Sequence, residues 1–479
     1  MPETIRPDIC VIGTGAGALQ VAVQAAAFGV RVVLVDPVGR GGQTAGDVGR
    51  AGRLPLSALG AAARRAYAAA VRSPDFGVQV KSVRADFDRV REHVHSVLRA
   101  RAPNLARERL AGLGVRVIEG AARFKDRDTL AVANEIEIAA RRFVIATGSS
   151  PALPPIAGLD AVAHLTTETA FDLPGCPEHL IVVGAGAIGL EFAQAFRRLG
   201  AQVTVVDGGA PLGQDDPECA AVVLDQLARE DIGLHTGALT GVADLGMELR
   251  VQLQGEGGAE TVAGTHLLVA GERWANVVGL GLDVAGIKYD EHGIAVDAGL
   301  KTSNRRVYAI GDVTGAQQPA HAADHQASLV VRNALFRLPV RFDPEAIPRV
   351  TFTDPELAQV GLTEAVARQR RYRIRVLRWS YRENDRAYAE GDARGHIKVV
   401  TTRKGRILGV TIVGAAAGEL ITPWTLAISQ GADIRAFAGI MVPYPTLSEI
   451  GKSAASTYFM SSLTSPWVRR IISWLRRLG

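Results

Sequence analysis

Cysteine is scarce: the 479-residue chain has three, at positions 10, 176 and 219. That is too few for a disulfide framework, and no CxxC or HxxH spacing offers a metal site, so no metal is expected. There is no run of 18 apolar residues, which excludes a membrane-spanning helix. The start, MPETIRPDICVIG, lacks a charged segment followed by a long apolar stretch, so no secretory signal is read and a cytoplasmic location is the expectation. Excess charge is missing too. The formal net charge is +5, but Arg469, Arg470, Arg476 and Arg477 lie in the last 15 residues with no acid among them. The rest of the chain is within one charge of neutral. With no interleaved basic and aromatic stripe, no nucleic-acid partner is expected. What remains is an ordinary globular composition, 47% apolar and 22% charged, which excludes wholesale disorder. The length suggests about three domains. Glycine, at 52 residues, is plentiful and points to close backbone approaches such as those around nucleotide phosphates.

The glycines fall into pattern twice. Asp8–Val11 reads as a strand and runs into Gly13-Thr14-Gly15-Ala16-Gly17-Ala18, then an Ala-rich helix (Leu19–Phe28), then a strand (Arg31–Val35) ending at Asp36. Gly13 permits the tight turn, Gly15 lets backbone approach a pyrophosphate, and the small Ala18 allows helix-on-strand packing. The helix N-terminus faces the phosphates and Asp36 can bind ribose hydroxyls. The unit recurs as Leu180–Val183, the turn Gly184-Ala185-Gly186-Ala187-Ile188-Gly189, the helix Leu190–Leu199 and the strand Gln202–Val206 ending at Asp207. Both acids stand 23 residues after the first glycine. Two dinucleotide folds imply two dinucleotides, a flavin and a nicotinamide. Asp207, with Gly208 and Gly209 after it and no nearby Arg, favours NADH over NADPH, whose 2′-phosphate would want a cation.

Two further strands fit this frame. Phe143–Thr147 leads into Gly148, and Val307–Ile310 ends in Gly311-Asp312 before a helix that begins near Gln317–Ala323. An acid at a strand's C-terminal end lies where α/β sheets bind ligands; the alternative for Asp312 is a loop carboxylate or helix cap. Thr147, Gly148 and, in the second fold, Gly271 join the candidate cofactor-binding residues.

The segments GTGAGA, VIATGSSP, VVGAGAIGLEFA, TSNRRVYAIGDV, VTFTDPELAQVGLTEAVA and YPTLSE, in this order, resemble those of the flavoprotein disulfide reductases. That family includes dihydrolipoamide dehydrogenase, glutathione reductase and mercuric reductase. The resemblance runs from residue 8 to about 460. It implies an α/β fold with two Rossmann-like dinucleotide-binding domains and an α+β C-terminal dimerisation domain. The FAD-binding domain would take 1–155 and 286–346, the NAD-binding domain 156–285, the dimer-interface domain 347–462 and a basic amphipathic tail helix 463–479. It further implies FAD with Asp312 on the ribityl chain, NAD(P)H in the second fold, and a homodimer.

The departures from the family pattern bear on chemistry. Disulfide-reducing members carry GGTCxxxxC after the second strand; here the segment is Gly41-Gly42-Gln43-Thr44-Ala45-Gly46-Asp47-Val48-Gly49-Arg50, with no Cys between 11 and 175. The flavin-side Gly41 and Gly42 remain. Leu54 stands where the family has a Lys, while the glutamate that this Lys usually pairs with remains as Glu191. The C-terminal His-Pro-Thr, whose His serves the thiol, is Tyr444-Pro445-Thr446, with Glu449 retained. A phenol of ordinary pKa near 10 is a poor general base at neutral pH. Glu449 either orients Tyr444 by a hydrogen bond or is an ordinary interface carboxylate. Tyr444, Glu449 and Glu191 are the candidate catalytic residues. Cys10 reads as a small core residue, Cys176 lies in a loop and Cys219 in a helix-like run. The combination is similar to soluble pyridine-nucleotide transhydrogenase and to cysteine-poor quinone reductases. It implies hydride transfer from NADH to FAD and onward to a non-disulfide small-molecule acceptor such as a quinone; transhydrogenation, or a membrane-associated redox sensor of low turnover, is the alternative.

Ser465-Pro466 can start a last helix. Trp467, Val468, Ile471, Ile472, Trp474, Leu475 and Leu478 cover an arc of about 160°, opposite the four Arg. Such a helix suits an anionic membrane surface or a protein surface.

Overall fold

The computed structural model describes residues 2–36, 53–105, 107–133, 135–246, 248–315, 318–460 and 466–477. The chain forms two compact units. One comprises Met1–Gly184, Arg198–Gln202 and Leu239–Asp343; the other comprises Ala185–Arg197, Val203–Ala238 and Pro344–Gly479.

The first unit is built on a parallel sheet in the spatial order Val307–Ala309, Arg142–Ile145, Ile9–Ile12, Val32–Asp36, Val115–Glu119. Numbered along the chain this is 5-4-1-2-3, the doubly wound order 3-2-1-4-5 read from the other edge, with its switch point between the first and fourth strands. The central strands ICVI and VVLV are apolar without alternation because both faces are covered. Alternate residues divide between two cores: Cys10, Ile12, Val33 and Val35 face one, Ile9, Val11, Val32 and Leu34 the other. The helix Ala16–Ala27 covers the second face through Ala18, Val21, Ala22 and Ala25. It begins three residues before the expected Leu19. Gly15, extended at φ −64° and ψ 169°, is its N-cap, so the glycine-rich turn already contains the first helical turn. A pair of helices, Arg53–Tyr67 and Phe87–Arg101, follows the second strand. In the same unit His179–Val183, His266–Val269 and Leu165–Thr166 pair in parallel.

In the second unit the helix Ala187–Leu199 again starts earlier than the expected Leu190. Strands Gln202–Asp207 and Gly233–Thr236 pair in parallel. A five-stranded antiparallel sheet follows, in the order Arg349–Thr351, Glu356–Gly361, Ile407–Gly414, His396–Thr402, Ile374–Ser380. One core lies under Trp424, whose indole stacks on Phe437 with centroids 3.7 Å apart. Register places Arg349, Gln359, Thr411, Lys398 and Arg378 side by side across all five strands. Directly opposed residues share a face, so this is a transverse polar row.

That row meets the start of the helix Pro217–Arg229. Asp216 is its N-cap and accepts a hydrogen bond from Glu218 N. Lys398, only 5% exposed, lies 2.8 Å from Asp216, 3.0 Å from Glu218 and 3.0 Å from Glu364. Arg378 reaches Glu218 at 2.8 Å and Arg349 donates to the Gln214 carbonyl at 3.3 Å. Burial works against the Lys398 charge, but the three carboxylates outweigh it and raise its pKa. The hydrogen bond from Arg378 chiefly holds Glu218 down at about 2.

Replacing Lys398 by Met would leave Asp216 buried without its cation, at a cost of roughly 3–5 kcal/mol. Urea unfolding at pH 7 should show that loss. Glu218 ionises in the folded state below the unfolded carboxyl, so its stabilisation is complete above pH ~4.3 and is lost as pH falls toward 2. The wild type should therefore weaken over that interval.

Candidate cofactor cradle and acceptor-side residues

Gly13 sits where the first parallel sheet ends. Its φ is +117°, its N–H donates to the Val35 carbonyl at 2.9 Å, and an added Cβ would lie 2.3 Å from the Ala146 oxygen. Only glycine fits. At Gly15 an added Cβ would meet only that oxygen, at 4.0 Å, and the helix it caps has neither an acid in its first turn nor a side-chain cap. Its amides can therefore take a phosphate. Ala18 is fully buried, as its spacing implies. Sequence reasoning missed Gly17, where a Cβ would stand 3.0 Å from the Ala323 oxygen on the helix Ala320–Phe336. Asp36 ends the second strand; burial raises its carboxyl pKa, partly countered by Arg107. The turn, the helix start and the acid fit the pyrophosphate and ribose of FAD. Gly41 and Gly42 lie outside the described residues.

Asp312 lies in the short helical turn Gly311–Thr314. One oxygen accepts from Ser149 Oγ at 2.7 Å, and the other accepts from Gln318 N at 3.0 Å. Gln318 precedes Pro319, the N-cap of the helix Ala320–Phe336, which has no side-chain cap, so this second bond is a loop contact and not a helix cap. Ser149 Oγ in turn accepts from Arg273 Nε at 2.8 Å, and Arg273 pairs with Glu168 at 2.9 Å. Gln326, fully buried, accepts from Gly311 N at 2.7 Å and donates to Gln318 Oε1 at 2.8 Å. Thr147 donates to the Asn276 carbonyl at 2.9 Å and its own carbonyl accepts from Asn276 Nδ2 at 2.8 Å, while Gly148 takes φ +67°. Ser149, Arg273, Asn276 and Gln326 were not read from the sequence. Their partners are 8 to 163 residues away, and no local period announces them.

In the second turn Gly184 has φ +114°, and an added Cβ would lie 2.7 Å from the Ala270 oxygen. Gly186 and Gly271 face open space, and Gly189 is buried within its helix. Asp207 accepts from Ala185 N at 2.5 Å and Gly209 N at 2.7 Å. The acid thus braces the turn that a dinucleotide would use. Glu191, 7% exposed, accepts from the backbone N–H of Phe352 at 2.9 Å.

Tyr444 is 71% exposed and donates to Asp385 Oδ2 at 2.7 Å. Glu449 accepts from Thr446 N at 3.2 Å. Of the two alternatives for Glu449, the hydrogen bond that would orient Tyr444 is not the one the structure shows. Glu449 opens the helix Glu449–Ser456 and folds back on the loop amide, and Asp385 holds the phenol instead. The hydrogen bond to Asp385 raises the Tyr444 pKa, so the group donates at neutral pH. The three cysteines are free. Cys10 and Cys219 are fully buried, and burial pushes both thiols up. Leu54 is partly exposed at the start of its helix.

The tail helix spans Pro466–Leu475 and buries none of its residues; Trp467, Ile472, Trp474 and Leu475 are more than half exposed. Ser465 and Leu478 lie outside the described residues. Among the described residues no helix is long and apolar enough to cross a membrane, and no cluster of His, Cys, Asp or Glu could hold a metal.

Residues 7–327 match the family model for pyridine nucleotide-disulphide oxidoreductases, and residues 347–455 match the dimerisation domain of the same family. A mercuric reductase of Streptomyces lividans is 35% identical over 458 residues, covering 94% of this chain and 96% of that protein. A dihydrolipoyl dehydrogenase of Thermus scotoductus is 34% identical, covering 92% and 95%. Among solved structures, LpdA of Mycobacterium tuberculosis superposes with a TM-score of 0.83 at 27% identity, covering 94% of this chain and 99% of that one. The flavoprotein disulfide reductase RclA of Escherichia coli shares the fold, with a TM-score of 0.81 at 24% identity over 94% and 99%.

The strain at Gly13 gives a direct test. Gly13→Val should purify with less than about a tenth of the wild-type flavin, measured by absorbance after denaturation, because the side chain would displace the Ala146 carbonyl that shapes the turn.

Proposed function

Because the chain belongs to the pyridine nucleotide-disulphide oxidoreductase family, we propose that it is a homodimeric, FAD-dependent NAD(P)H dehydrogenase that passes electrons to a non-disulfide acceptor. NADH is the preferred donor and a quinone the favoured acceptor. One observation carries this reading: between residues 11 and 175 there is no cysteine to form the redox pair that disulfide chemistry needs. Bound FAD would accept the hydride of NADH and release its electrons to the acceptor. The turn Gly13–Ala18 and Asp36 would hold its pyrophosphate and ribose, and Asp312 its ribityl chain. Gly184, Gly186 and Gly189 would hold the NADH pyrophosphate, and Asp207 its free 2′-hydroxyl. Tyr444, protonated and donating its one hydrogen to Asp385, does not suit the role of the thiol base that the family carries there. Reduction of mercuric ion, the activity in the name of the Streptomyces relative, is disfavoured because presenting that metal requires thiols.

The uncovered apolar face of the tail favours a place on the inner membrane surface, where long-chain quinones reside. Each Arg near an anionic surface is worth about 1 kcal/mol, so one tail supplies roughly 4 kcal/mol beside its buried apolar area. The same feature would serve a membrane-associated redox sensor, and the Tyr-Pro pattern would equally suit transhydrogenation between NAD and NADP.

Anaerobic titration should bleach the flavin with about one equivalent of NADH and show no long-wavelength thiolate-to-flavin band. Replacing all three cysteines should leave NADH-dependent dye reduction nearly intact. Rapid turnover of lipoamide or glutathione disulfide, abolished by a cysteine replacement, would refute the reading. An acceptor screen separates the remainder: quinone turnover marks the dehydrogenase, NADP turnover the transhydrogenase, and negligible turnover with every acceptor the sensor.

A chain ending at Thr464 should keep its activity with a water-soluble quinone. It should lose both salt-sensitive co-sedimentation with anionic vesicles and activity on a long-chain quinone within them. Equal partitioning of the two forms would assign the tail to a protein surface.

A further inference from the structure

A cavity of about 380 Å³ opens in the second unit between the C-terminal half of the helix Pro217–Arg229 and the ends of the strands Ile374–Ser380 and His396–Thr402. Its size falls in the range of small-molecule sites. Its polar lining is Asp225, Gln226, Arg229, Ser380, Arg382 and Arg394. Three guanidiniums against one carboxylate make it cationic, and arginine keeps its charge at any physiological pH.

These arginines are not spent on neighbouring acids. Among the described residues no carboxylate pairs with Arg229, Arg382 or Arg394. Arg394 is instead held by a neutral group: its Nη1 donates to Gln226 Oε1. Gln226 is 5% exposed, and its amide nitrogen donates to Glu230 Oε1 at 2.8 Å, which fixes the orientation of its carbonyl. Glu230 also accepts from Gln194 Nε2 at 3.0 Å, and Gln194 accepts from Asp354 N at 2.8 Å. A buried amide relay thus holds Arg394 at the cavity wall without neutralising it. Elsewhere in the same unit the buried cation Lys398 has three carboxylates around it. The contrast is chemical: one cluster is internally neutralised, the other keeps its positive charge for something else.

We propose that this cavity binds a small multivalent oxyanion, phosphoryl or carboxylate, through Arg229, Arg382 and Arg394. Guanidinium forks match both kinds of oxygen pair bidentately. The ligand would tie the helix of the second dinucleotide fold, through Arg229, to the antiparallel sheet, through Arg382 and Arg394. It would also relieve the repulsion among the three cations.

The test uses the full-length flavin-loaded protein, with inorganic pyrophosphate and citrate titrated calorimetrically at constant ionic strength. NADH is held at saturation so that the glycine-rich turn of the second fold is filled. One site per chain is expected, weakened at least about tenfold in Arg382→Ala and in Arg394→Ala. Arg382→Lys should lose less than Arg382→Ala. Flavin content and NADH-dependent dye reduction in these exposed-site variants report that they are folded. Pyrophosphate binding tighter than citrate identifies a phosphoryl ligand, and the reverse a carboxylate ligand. No binding of either at millimolar concentration overturns the proposal. So does binding that NADH abolishes, or that the double variant R382A/R394A leaves unchanged, since the anion would then sit at a dinucleotide turn.

Discussion

At the end of each parallel sheet the backbone comes closer than any side chain permits. Ala146 N donates to the Ile12 carbonyl at 2.8 Å, and one residue on, Gly13 donates to Val35 at 2.9 Å. Three strands are thereby drawn together at a point where an added Cβ would lie 2.3 Å from the Ala146 oxygen. The construction repeats at Gly184, where Ala270 N donates to Val183 at 2.8 Å and an added Cβ would lie 2.7 Å from the Ala270 oxygen. Everything a dinucleotide needs follows from this approach. The turn delivers a helix start with unspent amides, and the neighbouring strand ends in an acid.

Around these backbone features lie polar networks of different strength. Asp312 is fixed by Ser149, and Ser149 by Arg273, so the carboxylate expected to meet the flavin cannot rotate without breaking its bonds from Ser149 Oγ, at 2.7 Å, and Gln318 N, at 3.0 Å. Gln326 holds the adjoining Gly311 from inside the core. Such a chain of bonds is a reservoir of order: each member is oriented by the next, and the reacting end is set before any ligand arrives. In the second unit the same logic works with full charges, where Lys398 gathers Asp216, Glu218 and Glu364 beneath the helix that Asp216 caps.

How much of this was legible in the sequence depended on distance along the chain. The glycine-rich turns, their strands and their terminal acids were readable because each lies within about two dozen residues and obeys a fixed steric rule. The helices began three residues sooner than read, since glycine at the N-cap hides the first helical turn from a periodicity argument. Arg273 and Lys398 were not readable. A lysine in a strand is ordinarily read as a solvated residue, and only the register across five strands puts Lys398 under carboxylates some 34 to 182 residues away. Asp385 escaped for the same reason: its partner Tyr444 is 59 residues distant. The resemblance directed attention to Glu449, which is near in sequence but spends its bond on Thr446 N.

The Tyr444–Asp385 pair changes what the substitution of histidine means. An imidazole in that position can take and return a proton near neutral pH, and a thiol requires such a shuttle. A phenol bound to a carboxylate does neither, because the negative partner makes the proton harder to remove. Its single hydrogen is spent on Asp385, so toward a ligand the phenol presents only its oxygen lone pairs. On the proposed reading, the absent cysteines and the phenol in place of an imidazole are one change seen at two places in the chain. On that reading, proton exchange with a sulfur disappears together with the sulfur, and a phenol fixed by Asp385 remains. A phenol held in this way offers no proton shuttle to a thiol, and in this respect the exposed Tyr444 and the absence of cysteine between residues 11 and 175 point the same way.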